Sequence, residues 1–127
     1  MSQLDYLHLC EAAFLTEGTK NLNLISIFDN INVVAFPAIH PKFSIALGLS
    51  GLPSSSHVLV VKLLDPQNSE IGKFTNKFTL EPGKDKNRAI LSFVNFPLPS
   101  EGTYEISVTL NDEKLGSRFF SVIKINA

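Results

Sequence analysis

The residues of this chain that could do chemistry are three histidines, one cysteine and a few acids among apolar neighbours. His8 and Cys10 are two positions apart, so on a strand both side chains project to one face. Such a pair is a partial ligand set for zinc, with His40 or His57 as candidates to complete it. A second close pair is missing from the sequence. We therefore interpret Cys10 as a small buried apolar residue with a structural role, and we predict no metal site.

A hydroxyl next to an imidazole suggests nucleophilic catalysis, and Ser54, Ser55 and Ser56 precede His57. Adjacent side chains on an extended chain point to opposite faces, so Ser56 and His57 do not pair as nucleophile and base. We interpret this segment as a polar loop between strands. The sequence predicts no catalytic residue and no cofactor, and we expect that the protein is not an enzyme.

Two acids, Glu11 and Asp29, lie among apolar neighbours. One interpretation is that they are acids of a ligand pocket. The other is structural, with Asp29 as a turn cap and Glu11 at an edge or in a paired position. We favour the structural interpretation, because a buried carboxylate is costly unless it is paired or bonded to backbone amides.

Alternation of apolar and polar residues predicts the strands that must position these side chains. Over residues 103–110, apolar residues alternate with Thr, Glu and Ser, which is the period of a half-buried strand. A short polar stretch and a second β-rich run follow, which predicts an antiparallel hairpin. Similar runs between turn residues predict further strands over 6–14, 22–27, 43–50, 57–64, 71–80 and 89–96. A helix over residues 7–15 stays open as an alternative.

Gly102 and Tyr104 follow a proline-rich turn at the start of a predicted strand. This spacing is typical of the tyrosine corner of immunoglobulin-like sandwiches, in which the hydroxyl bonds to backbone a few residues upstream. The length of 127 residues fits one domain over residues 1–127. We predict an all-β fold: an antiparallel, immunoglobulin-like β-sandwich of seven or eight strands.

Composition limits the partners and the compartment. The formal net charge is −1, so a broad basic surface for nucleic acid is not expected. No apolar run approaches the roughly 20 residues that span a bilayer, so we expect no membrane insertion. A single cysteine excludes an intramolecular disulfide, and the N-terminal residues lack the features of a signal peptide. We expect a cytoplasmic protein, although one exported without such a signal would look the same.

The crossover at residues 29–42 is the longest stretch without a predicted strand, apart from a short extended piece at 32–35. Its two prolines predict a break in any β-ladder. The residues of the resulting aromatic–proline segment are Phe36, Pro37, His40, Pro41 and Phe43. If exposed, this segment is a candidate partner surface, and if tucked in, it plugs the open end of the sandwich, which we favour slightly. A small basic cluster at Lys84, Lys86 and Arg88 is interpreted as a solvated turn.

The order of several short motifs resembles that of a family of short bacterial proteins of unknown function. The matching residues are Cys10-Glu11-Ala12-Ala13, Gly18, Lys20, Leu24-Ile25-Ser26-Ile27-Phe28-Asp29, Phe36-Pro37, Pro97-Leu98-Pro99, Gly102-x-Tyr104 and Leu115-Gly116. The chain departs from the family at Ser26, where a glycine is more usual. The resemblance implies a single β-sandwich domain and supplies no activity, cofactor or catalytic residue.

These observations predict a non-enzymatic interaction or structural module. We expect it to bind a protein partner, or a second copy of itself through a sheet edge or face, either by strand addition or through the aromatic–proline segment. The alternative is a small-ligand binder with a pocket between the sheets or at one end.

Overall fold

The computed structural model of the chain describes residues 2–126, which form two β-sheets packed face to face. The strands of these residues are β1 (Gln3–Leu15), β2 (Leu22–Ile27), β3 (Asn30–Val33), β4 (Ala38–Ser50), β5 (Ser56–Leu64), β6 (Glu70–Thr79), β7 (Asn87–Leu98), β8 (Gly102–Leu110) and β9 (Glu113–Lys124). The four-stranded sheet has the order β2-β1-β4-β7, and the five-stranded sheet has the order β3-β9-β8-β5-β6. All pairs are antiparallel except β3 with β9.

The all-β sandwich predicted from the sequence is confirmed, with nine strands in the described residues rather than seven or eight. The additional strand is the four-residue β3. It follows the crossover of the chain from the four-stranded sheet and pairs with β9 in the five-stranded sheet. The helical alternative at residues 7–15 is wrong, because these residues lie within β1. Its pairing with β4 and β2 outweighs the local helix propensity of the segment.

The core lies between the two sheets and follows the period-two pattern of the strands. Buried side chains from the five-stranded sheet face buried side chains from the four-stranded one. They include Leu59, Val61, Leu63, Tyr104, Ile106, Val108, Phe120 and Val122 on one side and Leu7, Leu9, Phe43, Ile45, Leu47 and Leu49 on the other. These residues form one contiguous hydrophobic cluster that holds the sheets together.

The alternation of inside and outside reverses near one end of β4 and β7. Pro41 and Asn95 occupy matching positions between the cross-strand pairs His40–Phe96 and Lys42–Val94. Asn95 has a φ of +52°, a left-handed conformation that asparagine tolerates better than most residues. Beyond this kink the buried positions of β7 change from odd-numbered to even-numbered residues, so Phe96 and Leu98 enter the core.

The expected break of the ladder by Pro37 and Pro41 is only partly correct. Pro37 precedes β4, but Pro41 lies inside it. The pairing of β4 with β1 ends at Ser44, so at Pro41 the strand has its hydrogen-bonded neighbour, β7, on one side. A proline is tolerated in such a position because its missing N–H need not remove a ladder bond.

The hairpin of β1 and β2 folds back over the outer face of the four-stranded sheet. β1 pairs with β4 up to Cys10 and with β2 from Cys10 onward. Leu15 lines the same groove as Tyr6, although nine residues of straight strand would separate them by roughly 30 Å. The Arg88 guanidinium also donates a hydrogen bond of 3.1 Å to the main-chain oxygen of Lys20 in the turn of the hairpin. We call residues 11–27 the arm.

The tyrosine corner predicted from the sequence is confirmed. The Tyr104 hydroxyl donates to the main-chain oxygen of Ser100 at 2.6 Å and accepts from the Ser100 N–H at 3.2 Å. The ring is fully buried and stacks on Phe120, with centroids 5.3 Å apart. Gly102 lies against Pro66, whose Cγ would be 2.8 Å from any Cβ at that position. The turn between β7 and β8 is therefore fixed to the core.

The corner makes a testable contribution to stability. We expect Tyr104→Phe to keep the fold and to lower the free energy of unfolding by about 1 kcal/mol, because the hydroxyl's bonds to Ser100 are lost. Thermal denaturation should show a midpoint about 4 °C lower for a chain of this size. An unchanged midpoint would show that the corner does not stabilise the sandwich.

Candidate functional site

A small cleft opens where the chain leaves β2 and crosses to β3. It has a volume of about 230 Å³ and receives residues from both sheets and from the crossover. The lining residues are Glu11, Ser26, Ile27, Phe28, Asn30, Ile31, Asn32 and His40. We call it the crossover cleft. Polar groups that converge on an apolar floor are a common arrangement in ligand sites.

His40 forms one wall of the crossover cleft. Its ring packs against Phe28 and Phe43, with centroid distances of 5.9 and 5.7 Å. Burial lowers the pKa of the His40 imidazole, and the negative charge of Glu11 partly opposes this shift. Within residues 2–126 the two side chains form no ion pair within 4.0 Å. They can contact one polar ligand together, but they are not placed as a hydrogen-bonded acid–base pair.

Glu11 lies at the point where β1 leaves β4, and it is exposed. Its position in the cleft fits the interpretation as a pocket acid better than a paired position. Asp29 is also exposed, and its main-chain oxygen accepts a hydrogen bond of 2.9 Å from the Ser121 N–H. The predicted cap by the Asp29 carboxylate is wrong, because no hydrogen bond to that carboxylate forms within residues 2–126.

Ser26 shapes the rim of the crossover cleft through its backbone. Its φ is +56°, in the left-handed region that favours glycine. The positive φ agrees with the expectation, drawn from the resemblance, that glycine suits this position. The strained residue ends the regular part of β2 just before the chain crosses between the sheets.

The residues of the predicted partner surface separate into three groups. Phe43 is fully buried, so its assignment to a partner surface is wrong, because it follows the kink and points into the core. Phe36 and His40 are half-buried, and Phe36 packs on the core as a plug would. Pro37 and Pro41 are exposed.

The exposed prolines belong to a surface that the sequence analysis did not identify. Ile39 is 64% exposed and Val94 is 68% exposed, the two largest exposures among the large apolar residues described. Ile39 is paired with Pro97, which is also exposed. We call these neighbouring residues the proline patch: Pro37, Ile39, Pro41, Val94 and Pro97. An isoleucine between two prolines was a sequence signal for the patch. Val94 was not expected there, because it comes near only through the pairing of β4 with β7, where it lies opposite Lys42.

The remaining candidates have structural roles. The His57 ring is buried, with Nε2 2.8 Å from the Pro53 oxygen and Nδ1 2.9 Å from the Asn111 amide nitrogen. The first partner only accepts and the second only donates, so Nε2 donates to the Pro53 oxygen and Nδ1 accepts from the Asn111 amide. Cys10 is buried, and its thiol donates to the Ser44 main-chain oxygen at 3.6 Å. His57 thus anchors the loop that contains Pro53. Cys10 is a small buried residue, as the sequence suggested.

The family model of DUF6941, a family of unknown function, matches residues 5–123. The chain belongs to this family. The match confirms the resemblance inferred from the ordered motifs. A comparison with curated proteins finds no match. The described residues include no helix of the length and apolarity that a membrane span requires.

Solved structures share the fold at low sequence identity. A part of the alkylpurine DNA glycosylase AlkC of Pseudomonas fluorescens is 13% identical with a TM-score of 0.58, and a part of the β-glucosidase of Listeria innocua is 11% identical with 0.54. The matches cover 96% and 99% of this chain, which spans only 30% and 17% of those proteins. An immunoglobulin-like protein of Pseudomonas aeruginosa is 18% identical over 96% of both chains, with a TM-score of 0.47. The two likenesses above 0.5 show the fold alone.

The left-handed backbone at Ser26 predicts opposite effects on stability for two substitutions. We expect Ser26→Gly to retain or raise the free energy of unfolding, by up to about 1 kcal/mol, because glycine relieves the left-handed strain. Ser26→Val should lower it by about 1–3 kcal/mol, because a β-branched residue is least compatible with positive φ. Urea denaturation measures both. Equal losses in the two variants would contradict this account of the backbone.

The lowered pKa of His40 predicts a pH dependence of stability. The unfolded chain takes up a proton near pH 6.5, before the folded protein does, so the stability from neutral His40 is complete above that pH. It declines as the pH falls from 6.5 toward the lower folded pKa. Urea denaturation between about pH 7.5 and pH 5 should show a smaller loss in His40→Gln than in the wild type. Identical losses would show that His40 is not the responsible group.

Proposed function

We propose that this protein is a non-enzymatic β-sandwich that binds another polypeptide at the outer edge of β7, next to the proline patch. The partner is a strand supplied by another protein or by a second copy of this chain. The observation that carries the proposal is the combination of a long, weakly charged edge strand with the most exposed apolar side chains of the described surface, Ile39 and Val94.

The four strand edges of the sandwich differ in how they resist unwanted pairing. β3 has four residues and β2 has six. β6 carries Glu70, Lys73 and Lys77 along its ten residues. Short strands and charged side chains are the usual means by which proteins protect an edge. β7 has twelve residues, with a single charged one, Arg88, near one end and Pro97, which also opposes pairing, near the other, so residues 89–96 between them carry neither a charge nor a proline. This contrast favours β7 as the edge to which a strand of a partner adds.

The proline patch supports binding beside that edge. Val94 lies on β7 itself, and Ile39 lies on the neighbouring β4 opposite Pro97. An added strand gains main-chain hydrogen bonds from the edge, while pockets and apolar side chains nearby provide selectivity. Apolar side chains exposed together mark interaction sites more often than isolated ones do. The exposed Lys42 lies opposite Val94, so the surface beside the edge combines apolar side chains with one cation. It suits an extended segment that is mainly apolar and carries an acidic residue.

Binding of a small ligand in the crossover cleft is the second candidate. It is favoured by the convergence of Glu11, His40 and the amides of Asn30 and Asn32 on one cleft. The volume of about 230 Å³ lies below the usual 300–1,000 Å³ of drug-sized sites, so only a small polar molecule fits.

A cytoplasmic location is part of the proposal and is supported by the free thiol of Cys10.

A charge placed on the edge tests the proposed function. We expect Val94→Lys to abolish self-association or partner capture, because a lysine on an edge strand opposes pairing. Ile25→Lys is the matched control, since Ile25 is 49% exposed and lies on the arm. Light scattering of the purified proteins measures the dimer, and affinity capture from a bacterial lysate measures partners.

Loss in Val94→Lys together with retention in Ile25→Lys is the expected result, with circular dichroism confirming that both variants are folded. A monomeric wild type that captures the same proteins as Val94→Lys would refute strand addition at this edge.

A further inference from the structure

A second and larger depression lies at the opposite end of the four-stranded sheet, under the tip of the arm. Its volume is about 530 Å³, within the range of small-molecule sites. Leu15 of the arm forms one side, and Tyr6 lines the groove from β1. Lys86 and Arg88 close the other side. We call it the arm groove. It is separate from the crossover cleft and from the proline patch.

The floor of the arm groove is an aromatic ring held in a fixed place. The Tyr6 ring lies directly on the backbone of Gly48, where any Cβ would come within 2.2–2.9 Å of the ring atoms. The His8 ring stacks beside it, with centroids 6.0 Å apart and planes 17° apart. Gly48 therefore makes room for the ring, and Tyr6 offers a ready surface for stacking on a flat group.

The charged groups of the arm groove favour an anion. Two cations, Lys86 and Arg88, meet one acid, Asp5. The Asp5 carboxylate already accepts hydrogen bonds from Ser50 Oγ at 2.8 Å and from Gln3 Nε2 at 2.9 Å. These bonds, Ser50 first, lower the pKa of Asp5, and the charge of Lys86 adds to the effect. The local balance is positive in a chain whose net charge is −1.

Arg88 is positioned for recognition. One of its guanidinium nitrogens donates to the Lys20 main-chain oxygen at 3.1 Å, which fixes the side chain while leaving most of its five donors for a ligand. The ion pairs formed within residues 2–126 are Lys62–Glu70 and Lys114–Glu105, so neither Arg88 nor Lys86 is neutralised by one. A held guanidinium binds carboxylate or phosphate oxygens through two parallel hydrogen bonds.

We propose that the arm groove binds a small aromatic anion, with its carboxylate or phosphate on Arg88 and Lys86 and its ring against Tyr6 and Leu15. Two of the three basic residues that the sequence suggested as a solvated turn, Lys86 and Arg88, thus belong to the proposed site, and Lys84 does not line it. The two chemical groups are recognised by different walls of the groove, so charge and ring each contribute to affinity.

Titration by ¹H–¹⁵N NMR with benzoate and with phenyl phosphate tests the proposal. Saturable shifts at the amides of Tyr6, Asn87 and Arg88 are expected with at least one of them. Benzamide, which keeps the ring without the charge, and inorganic phosphate, which keeps the charge without the ring, should bind more weakly by about tenfold. Arg88→Gln should weaken binding by about tenfold, the equivalent of 1.4 kcal/mol.

The control is Lys77→Gln, which removes one positive charge from the exposed surface of β6 and should change the affinity by less than about twofold. Arg88→Lys should be intermediate, because it keeps the charge and loses the two-pronged geometry. The proposal is overturned by the absence of saturable shifts with both aromatic anions. Equal affinity in Arg88→Gln and the wild type, or equal binding of benzamide or inorganic phosphate, overturns it as well.

Discussion

The kink at Pro41 and Asn95 is the constraint on which the proline patch and the His40 wall of the crossover cleft depend. A strand presents alternate residues to opposite faces, so a single reversal changes which side of the sandwich every later residue occupies. Here the reversal turns His40, Phe96 and Leu98 inward. It turns Ile39 and Pro97 outward. The same local conformation therefore completes the aromatic core and creates the proline patch.

The aromatic residues around the kink show what the reversal provides. Phe43 stacks on Phe93 at 5.1 Å and meets Phe96 edge-on at 5.3 Å, and Phe93 and Phe96 are themselves 5.7 Å apart. Phe93 and Phe96 are three positions apart on one strand, so uninterrupted alternation would place them on opposite faces. Their common packing on Phe43 stabilises the reversed conformation and offsets the cost of the positive φ at Asn95.

The outer face of the four-stranded sheet is used differently at its two ends. Near the start of β1 the arm folds back and forms a groove with Tyr6 and Arg88. Near the start of β4 the apolar side chains stay exposed beside the edge of β7. In the middle, Cys10, Ser44 and Ala46 are small and buried, which allows the arm to lie close to the sheet. The proposed small-molecule site and the proposed polypeptide site thus lie on one face without overlap.

The sequence predicted the fold well where the pattern is local. The β8–β9 hairpin, the corner at Tyr104 and the strand of residues 43–50 follow directly from period two. The candidate role of Phe43 in a partner surface was wrong, because the two prolines suggested a crossover outside the sheets, whereas Pro41 lies within β4. The fold-back of the arm and the pairing of Ile39 with Pro97 and of Lys42 with Val94 depend on contacts between distant residues. Local periodicity carries no information about such contacts.

The most direct test of the reversal is the reactivity of single cysteines introduced at neighbouring positions of β7. The native Cys10 is fully buried and serves as the internal reference for a protected thiol. With a thiol reagent under native conditions, Pro97→Cys should react at the rate of an exposed thiol and Leu98→Cys should stay as protected as Cys10. Rapid reaction at position 98 with protection at position 97 is the result of uninterrupted alternation from Phe93, and it would contradict the account.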